Sequence, residues 1–279
     1  SDWFDSYGYM EERSPTKERS YTRIQTDGKP YNSPQSVIAM INTPKTGTEG
    51  LTQNFRKFWK CSKENESPFA YTYACPEEKK VIRAHQFAAG TKELQLHRQA
   101  YPGGQCLIVT SIRHPATWFP SLYAQRRKIC ENFDMTKDDM LNDYKAFLAD
   151  EYSIKISAEI ALPGLIKEFP FGSLKEQAKI MDQNGGYSIL APTSPESIFA
   201  GCELLFLRIE QSEQWPEIIQ MMVPELRYER TVSQSSRCPK MADHVKMLKD
   251  YELTMEEKIK ISTYGGGLMA DWFDTYDYI

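Results

Sequence analysis

No stretch of the 279 residues reaches the roughly 18 consecutive apolar positions that a membrane helix requires. The first residues are acidic and aromatic, where a secretory leader would carry a basic start and an apolar run. An excess of positive charge is also missing: 34 Lys and Arg stand against 38 Asp and Glu, a net charge of -4. This excludes a global basic field for DNA, RNA or an anionic membrane, so any anion has to be caught by a local cluster. Cysteine is sparse. Cys61, Cys75, Cys106, Cys130, Cys202 and Cys238 fall at wide, irregular intervals without a C-x-x-C pair, which speaks against a zinc site or a dense disulfide framework. Cys106 opens an apolar run and reads as a buried small hydrophobe. The missing leader suggests the cytoplasm, with the Golgi or secretory lumen as the compartment if a leader or tether has been removed.

What is present is the balance of a soluble globular chain, 41% hydrophobic and 26% charged, long enough for one large domain or two modest ones. Residues 1–34 are rich in Ser, Thr, Pro, Lys and Arg without apolar periodicity and read as an extension; residues 35–279 read as the domain. Ser36–Ile41 is a short apolar run followed by a turn and a helical stretch with Leu51, Phe55, Phe58 and Trp59. The same strand, loop and helix unit recurs at Cys106–Ile112, where Arg113-His114-Pro115 leads into a helix with proline in its first turn. Val81–His85 and Leu204–Ile209 are two more short apolar runs. Together they predict an α/β fold of three layers, a central parallel sheet flanked by helices. In such sheets ligands bind beyond the carboxyl ends of the strands, where Lys45, His85 and Arg113 fall. Residues 134–200 read as a mostly helical cap.

Asp2-Trp3-Phe4-Asp5-Ser6-Tyr7-Gly8-Tyr9 and Asp271-Trp272-Phe273-Asp274-Thr275-Tyr276-Asp277-Tyr278 nearly repeat each other 269 residues apart. The repeat suggests a unit cut from a tandem array, with the first copy being the tail of a preceding domain of about the same length. Two aromatic segments that pack together are the alternative.

Thr43-Pro44-Lys45-Thr46-Gly47-Thr48 joins a buried strand to a helix. Amide N–H groups of such a loop and of the first helical turn converge on one spot, and the helix dipole favours negative charge there. Thr46 and Thr48 offer hydroxyls, Gly47 permits close approach, and Lys45 supplies a point charge. A Walker A loop would need its lysine directly after the second glycine, whereas Lys45 precedes Gly47. In the second element, Arg113 at a strand end and Ser121 two helical turns later can address one phosphate.

These two segments resemble the sulfotransferases that use 3′-phosphoadenosine 5′-phosphosulfate. Pro44 to Leu51 is similar to their 5′-phosphosulfate loop, P-K-[ST]-G-T-T-x-L, and Arg113 to Tyr123 to their 3′-phosphate motif, R-[DHN]-P-x5-S-x-Y. Lys80–His85 looks like the strand ending in K-T-H, and Leu204–Gln211 like L-x-x-x-Y-E-D. The resemblance implies a P-loop NTPase-like fold and donor contacts from Pro44, Lys45, Thr46, Gly47, Thr48, Glu49, Gly50, Arg113 and Ser121. It also implies His85 as general base, with Glu66 or Glu64 as the alternative base, and Lys45 stabilising the leaving nucleotide. No metal is implied, since a sulfuryl group carries less charge than a phosphoryl group. The acceptor would be a hydroxyl-bearing small molecule or glycan rather than a protein. Arg83 either assists the sulfuryl oxygens or pairs with Glu77 or Glu78.

Four features depart from the pattern. Glu49 stands where many members have a second Thr and is expected to turn outward or bind a cation. Gly50 replaces an adenine-stacking Trp, Ile209 replaces the Tyr of Y-E-D, and Gly265-Gly266-Gly267 reads as a flexible stretch in place of an R-K-G loop. Two other readings remain open: an inactive nucleotide-binding module of a multidomain protein, and a P-loop-related nucleotide kinase.

Overall fold

The computed structural model describes residues 31–44, 46–67, 69–127, 135–151, 154, 162–192, 194–229, 242–264 and 266–278. The first copy of the repeated aromatic segment and Lys45 lie outside them, as do Cys130 and Cys238. The four apolar runs form β1 (Val37–Ile41), β4 (Lys80–Ala84), β5 (Cys106–Ile112) and β7 (Cys202–Arg208). Their residues are almost wholly buried, as parallel strands covered on both faces must be. β2 (Ser62–Glu66), β3 (Ala70–Ala74) and β6 (Tyr187–Leu190) complete a seven-stranded sheet of order β2-β3-β4-β1-β5-β7-β6.

The sheet is therefore mixed, with a parallel centre made of the four apolar runs and antiparallel edges. β4, β1, β5 and β7 are parallel, whereas β2, β3 and β6 pair antiparallel at the two edges. The physical reason is local. β2 and β3 return through a short connection that only an antiparallel pair permits, and β6 lies beside β7 as an edge strand.

Side chains alternate between two cores. Ile38 and Met40 of β1 and Val109 of β5 face α1 (Thr48–Phe58), through Leu51 and Phe55, and α7 (Trp215–Met222). Val37, Ala39, Ile41 and Ile108 face the other way, toward α2 (Phe87–Ala100) and α3 (Pro115–Arg126). That second core also takes in α4 (Lys137–Ala149), α5 (Leu162–Glu168), α6 (Leu174–Gln183) and α10 (Gly266–Thr275). α8 (Ala242–Asp250) packs on α3 and α4, and α9 (Met255–Tyr264) packs on α4 and α10. A helix begins at Gly266, so the glycine triplet leads straight into regular structure. Tyr31 is already buried and bonds to Met222 O through its amide, so packing starts ahead of Ser36.

Two disulfides correct the reading of the cysteines. Cys106 and Cys202 sit opposite each other at the start of β5 and β7 and are bonded; Cys61 and Cys75 join the start of β2 to the end of β3. Cys106 is buried, but as half of a crosslink. Parallel register brings two cysteines 96 positions apart into disulfide range, Cα to Cα 4.5 Å.

Chain direction around β1 fixes where a ligand can enter. After β1 the chain runs through α1 on one face toward β4, and after β5 it runs through α3 on the other face toward β7. The connections diverge between β1 and β5, leaving a crevice at their carboxyl ends.

Candidate functional site

The loop after β1 fills one wall of this crevice, and its carbonyls are turned into the protein. Thr43 O accepts from the Thr46 hydroxyl at 2.7 Å, Pro44 O from Trp118 Nε1 at 2.8 Å, and Thr46 O from the Ser111 hydroxyl. With these acceptors tied inward and no side chain capping the first turn of α1, the amides of that turn are left for an anion. Gly47 is the residue before α1 and has φ 90°, a left-handed backbone that suits glycine. A Cβ there would stand 2.7 Å from the Trp215 ring.

Details of the loop differ from what its sequence suggests. The Thr46 hydroxyl is buried and committed to Thr43, so the Thr46 side chain shapes the loop. The side chains of Lys45 and Thr48 lie outside the described residues. Glu49 accepts from Gln53 Nε2 at 3.3 Å along the helix, which is the outward turn expected of it. Gly50 O accepts from Asn54.

Arg113, just past β5, stands opposite. Its Nε donates to Thr117 Oγ1 at 3.0 Å and its Nη1 to Ser121 Oγ at 3.2 Å, so the guanidinium and the Ser121 hydroxyl point to one place. The backbone of this corner is clamped from both sides. Arg113 O accepts from Trp272 Nε1 at 2.8 Å, and the His114 amide donates to Glu210 Oε1 at 2.6 Å while Glu210 Oε2 accepts from Tyr276. Trp272 and Tyr276 belong to the second copy of the aromatic repeat, and Trp118 and Trp272 pack with ring centres 4.9 Å apart.

His85 follows β4 on the opposite flank of the loop. Its Nδ1 lies 3.3 Å from Asn42 O. A carbonyl only accepts, so Nδ1 carries the hydrogen and Nε2 the lone pair. Arg83 Nη2 reaches toward Nε2 from 3.5 Å, the limit of hydrogen-bond range. Register places His85, the loop and Arg113 on three neighbouring strands in the order β4, β1, β5. At the usual interstrand spacing the outer two stand roughly 10 Å apart.

The two carboxylates considered as bases sit on β2, two strands away from β4. Glu64 pairs with Lys80 at 3.0 Å at the opposite end of β4, and that bond, against burial, holds its carboxyl below the ordinary range. Glu66 is exposed on the edge strand β2 and pairs with Lys63.

Three residues without a motif also belong to this region. Asn42 is fully buried and accepts the Ser111 amide at 2.7 Å, yet its Nδ2 has no partner. Lys249 on α8 is pushed down to about 7, first by burial and then by the Arg113 guanidinium. Trp215 covers Gly47. Their positions in space identify them; no spacing in the chain does. Among the described residues no group of three or more His, Cys, Asp or Glu is placed to hold a metal ion, and no helix is long and apolar enough to cross a membrane. Arg127 pairs with Asp143. Comparison with protein-family models, with curated proteins and with solved structures found no match.

Proposed function

We propose that the chain is a sulfotransferase that moves a sulfuryl group from 3′-phosphoadenosine 5′-phosphosulfate to an acceptor hydroxyl. The observation that carries the reading is the pairing of two anion grips on neighbouring strand ends: a loop in which the Thr43, Pro44 and Thr46 carbonyls are tied inward, and the Arg113 fork backed by Ser121. The residues suit a nucleotide charged at both ends. The Gly47 backbone leaves room that a Cβ would fill, and the buried Asn42 Nδ2 is a donor still lacking an acceptor.

When bound, such a donor supplies an activated sulfuryl group and a leaving nucleotide bisphosphate. The chain's own groups have separate tasks. Amides from Thr46 to Gly50 hold the 5′ oxygens, and Lys45, by its place in the loop, offers an ammonium where negative charge grows on the bridging oxygen. Arg113 and Ser121 hold the 3′-phosphate and fix the register of the whole molecule. His85 takes the acceptor proton on Nε2 while Nδ1 stays bonded to Asn42 O. The acceptor is a hydroxyl-bearing small molecule or glycan. Two disulfides favour an oxidising compartment such as the secretory lumen over the cytoplasm.

Isothermal titration with adenosine 3′,5′-bisphosphate and with ATP tests the reading. Preferential binding of the bisphosphate supports it, and preference for ATP sinks it in favour of a kinase. Transfer from sulfur-labelled donor then separates an active enzyme from an inert binding module.

A further inference from the structure

The α1 face of the sheet carries a line of cations that the donor does not need. Arg83, next to His85, lies with its guanidinium 5.5 Å from the centre of the Tyr71 ring. Arg56 on α1 lies 3.9 Å over Tyr73. Tyr71 and Tyr73 are two residues apart on one face of β3, so the two guanidiniums follow the strand at a spacing of about 7 Å. Both arginines are half-buried with Nε shielded from water and without a hydrogen-bond partner, and among the described residues neither has a carboxylate in ion-pair range. Lys63 extends the line over Tyr71 from 5.9 Å, with Glu66 as its own counter-ion. At the His85 end stands Phe69, 48% exposed, whose carbonyl accepts the His85 amide.

Half-buried guanidiniums stacked on aromatic rings are costly to leave without an anion and are shaped to fork onto a carboxylate. Two other arginines have carboxylate partners: Arg208 has Asp182 and Arg127 has Asp143. We infer that Arg83 and Arg56 form an acceptor subsite for an acidic saccharide, with Phe69 offering a flat apolar surface to a sugar ring. The inference rests on the sulfotransferase reading and names its substrate class. Arg83 Nη2 is 3.5 Å from His85 Nε2; with a hydrogen bond to each, the reacting hydroxyl and the acidic oxygen lie within about 9 Å, the span of one or two sugar rings.

The test uses the whole chain saturated with adenosine 3′,5′-bisphosphate. A hexasaccharide of alternating glucuronate and N-acetylglucosamine is titrated against the same hexasaccharide with its carboxyls reduced to alcohols, and against a hexaglutamate peptide. Expected is binding of the charged saccharide roughly tenfold tighter than the reduced one and tighter than the peptide, the scale of a charge-assisted pair. Arg83→Gln and Arg56→Gln each weaken it by about fivefold without altering bisphosphate affinity. Lys175→Gln, which removes the same charge from the opposite edge of the fold, changes nothing. Equal binding of the two saccharides, or tighter binding of the peptide, overturns this inference alone; failure to bind the bisphosphate at the outset overturns the donor site beneath it. Loss of bisphosphate affinity in Arg83→Gln reassigns that arginine to the sulfuryl group and overturns the subsite.

Discussion

Arg113 and Ser121 are joined by a 3.2 Å hydrogen bond from Nη1 to Oγ, a turn and more of α3 apart in the chain. The bond sets the guanidinium plane before any anion arrives. Arg113→Lys keeps the charge and loses the fork, and is expected to weaken adenosine 3′,5′-bisphosphate binding by about 1.5–3 kcal/mol, as for a lost hydrogen bond to a charged group. Ser121→Ala costs less. Calorimetric titration of both variants measures the order; a Ser121→Ala loss exceeding that of Arg113→Lys contradicts it.

His85→Ala is expected to lower the turnover number by roughly 10²- to 10⁴-fold at unchanged donor affinity. The acid limb of the pH–rate profile disappears with it. Near-normal turnover in that variant would move the base to Glu66 or Glu64.

Lys249 supplies a pH dependence with a definite sign. Its folded pKa of about 7 lies below the ordinary lysine value because burial and then Arg113 oppose its charge, with Asp250 acting the other way. Between about 7 and the ordinary value near 10.5 the unfolded chain holds a proton that the folded chain lacks, so this group makes stability rise with pH across that window. An anion bound against Arg113 favours charged Lys249. Bisphosphate binding at pH 8 therefore takes up protons and weakens as pH rises. Titration in buffers of different ionisation enthalpy reads the uptake, and Lys249→Met should abolish it; identical uptake in that variant assigns it elsewhere.

Gly47→Ala places a Cβ at 2.7 Å from Trp215 on a backbone of φ 90°. A cost of about 1–3 kcal/mol in urea unfolding is expected, with a matching drop in bisphosphate affinity. Trp215→Leu relieves the contact but not the backbone, so a combined variant recovers only part of the loss.

Removing the Cys106–Cys202 crosslink by paired alanines should cost about 2–5 kcal/mol, since the loop it closes in the unfolded chain is long. Thermal melts with and without a reductant report this directly. An unchanged melting temperature would mean that the two strands are held in register without it.

The sequence made the middle of the fold legible and hid its edges. β1, β5 and β7 are covered on both faces and so read as unbroken apolar runs. β2, Ser62-Lys63-Glu64-Asn65-Glu66, is exposed throughout and has no apolar residue to announce a strand; pairing with β3 and the Cys61–Cys75 bond place it. The crevice was legible through residues adjacent to strand ends, namely Pro44 to Gly50, His85, Arg113 and Ser121. Asn42, Lys249 and Trp272 enter it by register and helix packing, which no local spacing encodes. The cysteine pairs were hidden for the same reason, because facing positions on β5 and β7 depend on strand order.

The two neighbouring indoles have a practical consequence. Trp118 bonds to the carbonyl of Pro44 and Trp272 to that of Arg113, so each ring is fastened to one jaw of the cleft while the pair remains in contact. A shift of either jaw must change the separation or tilt of two coupled chromophores, and the molecule thereby carries its own optical gauge, readable by ultraviolet emission without any attached dye.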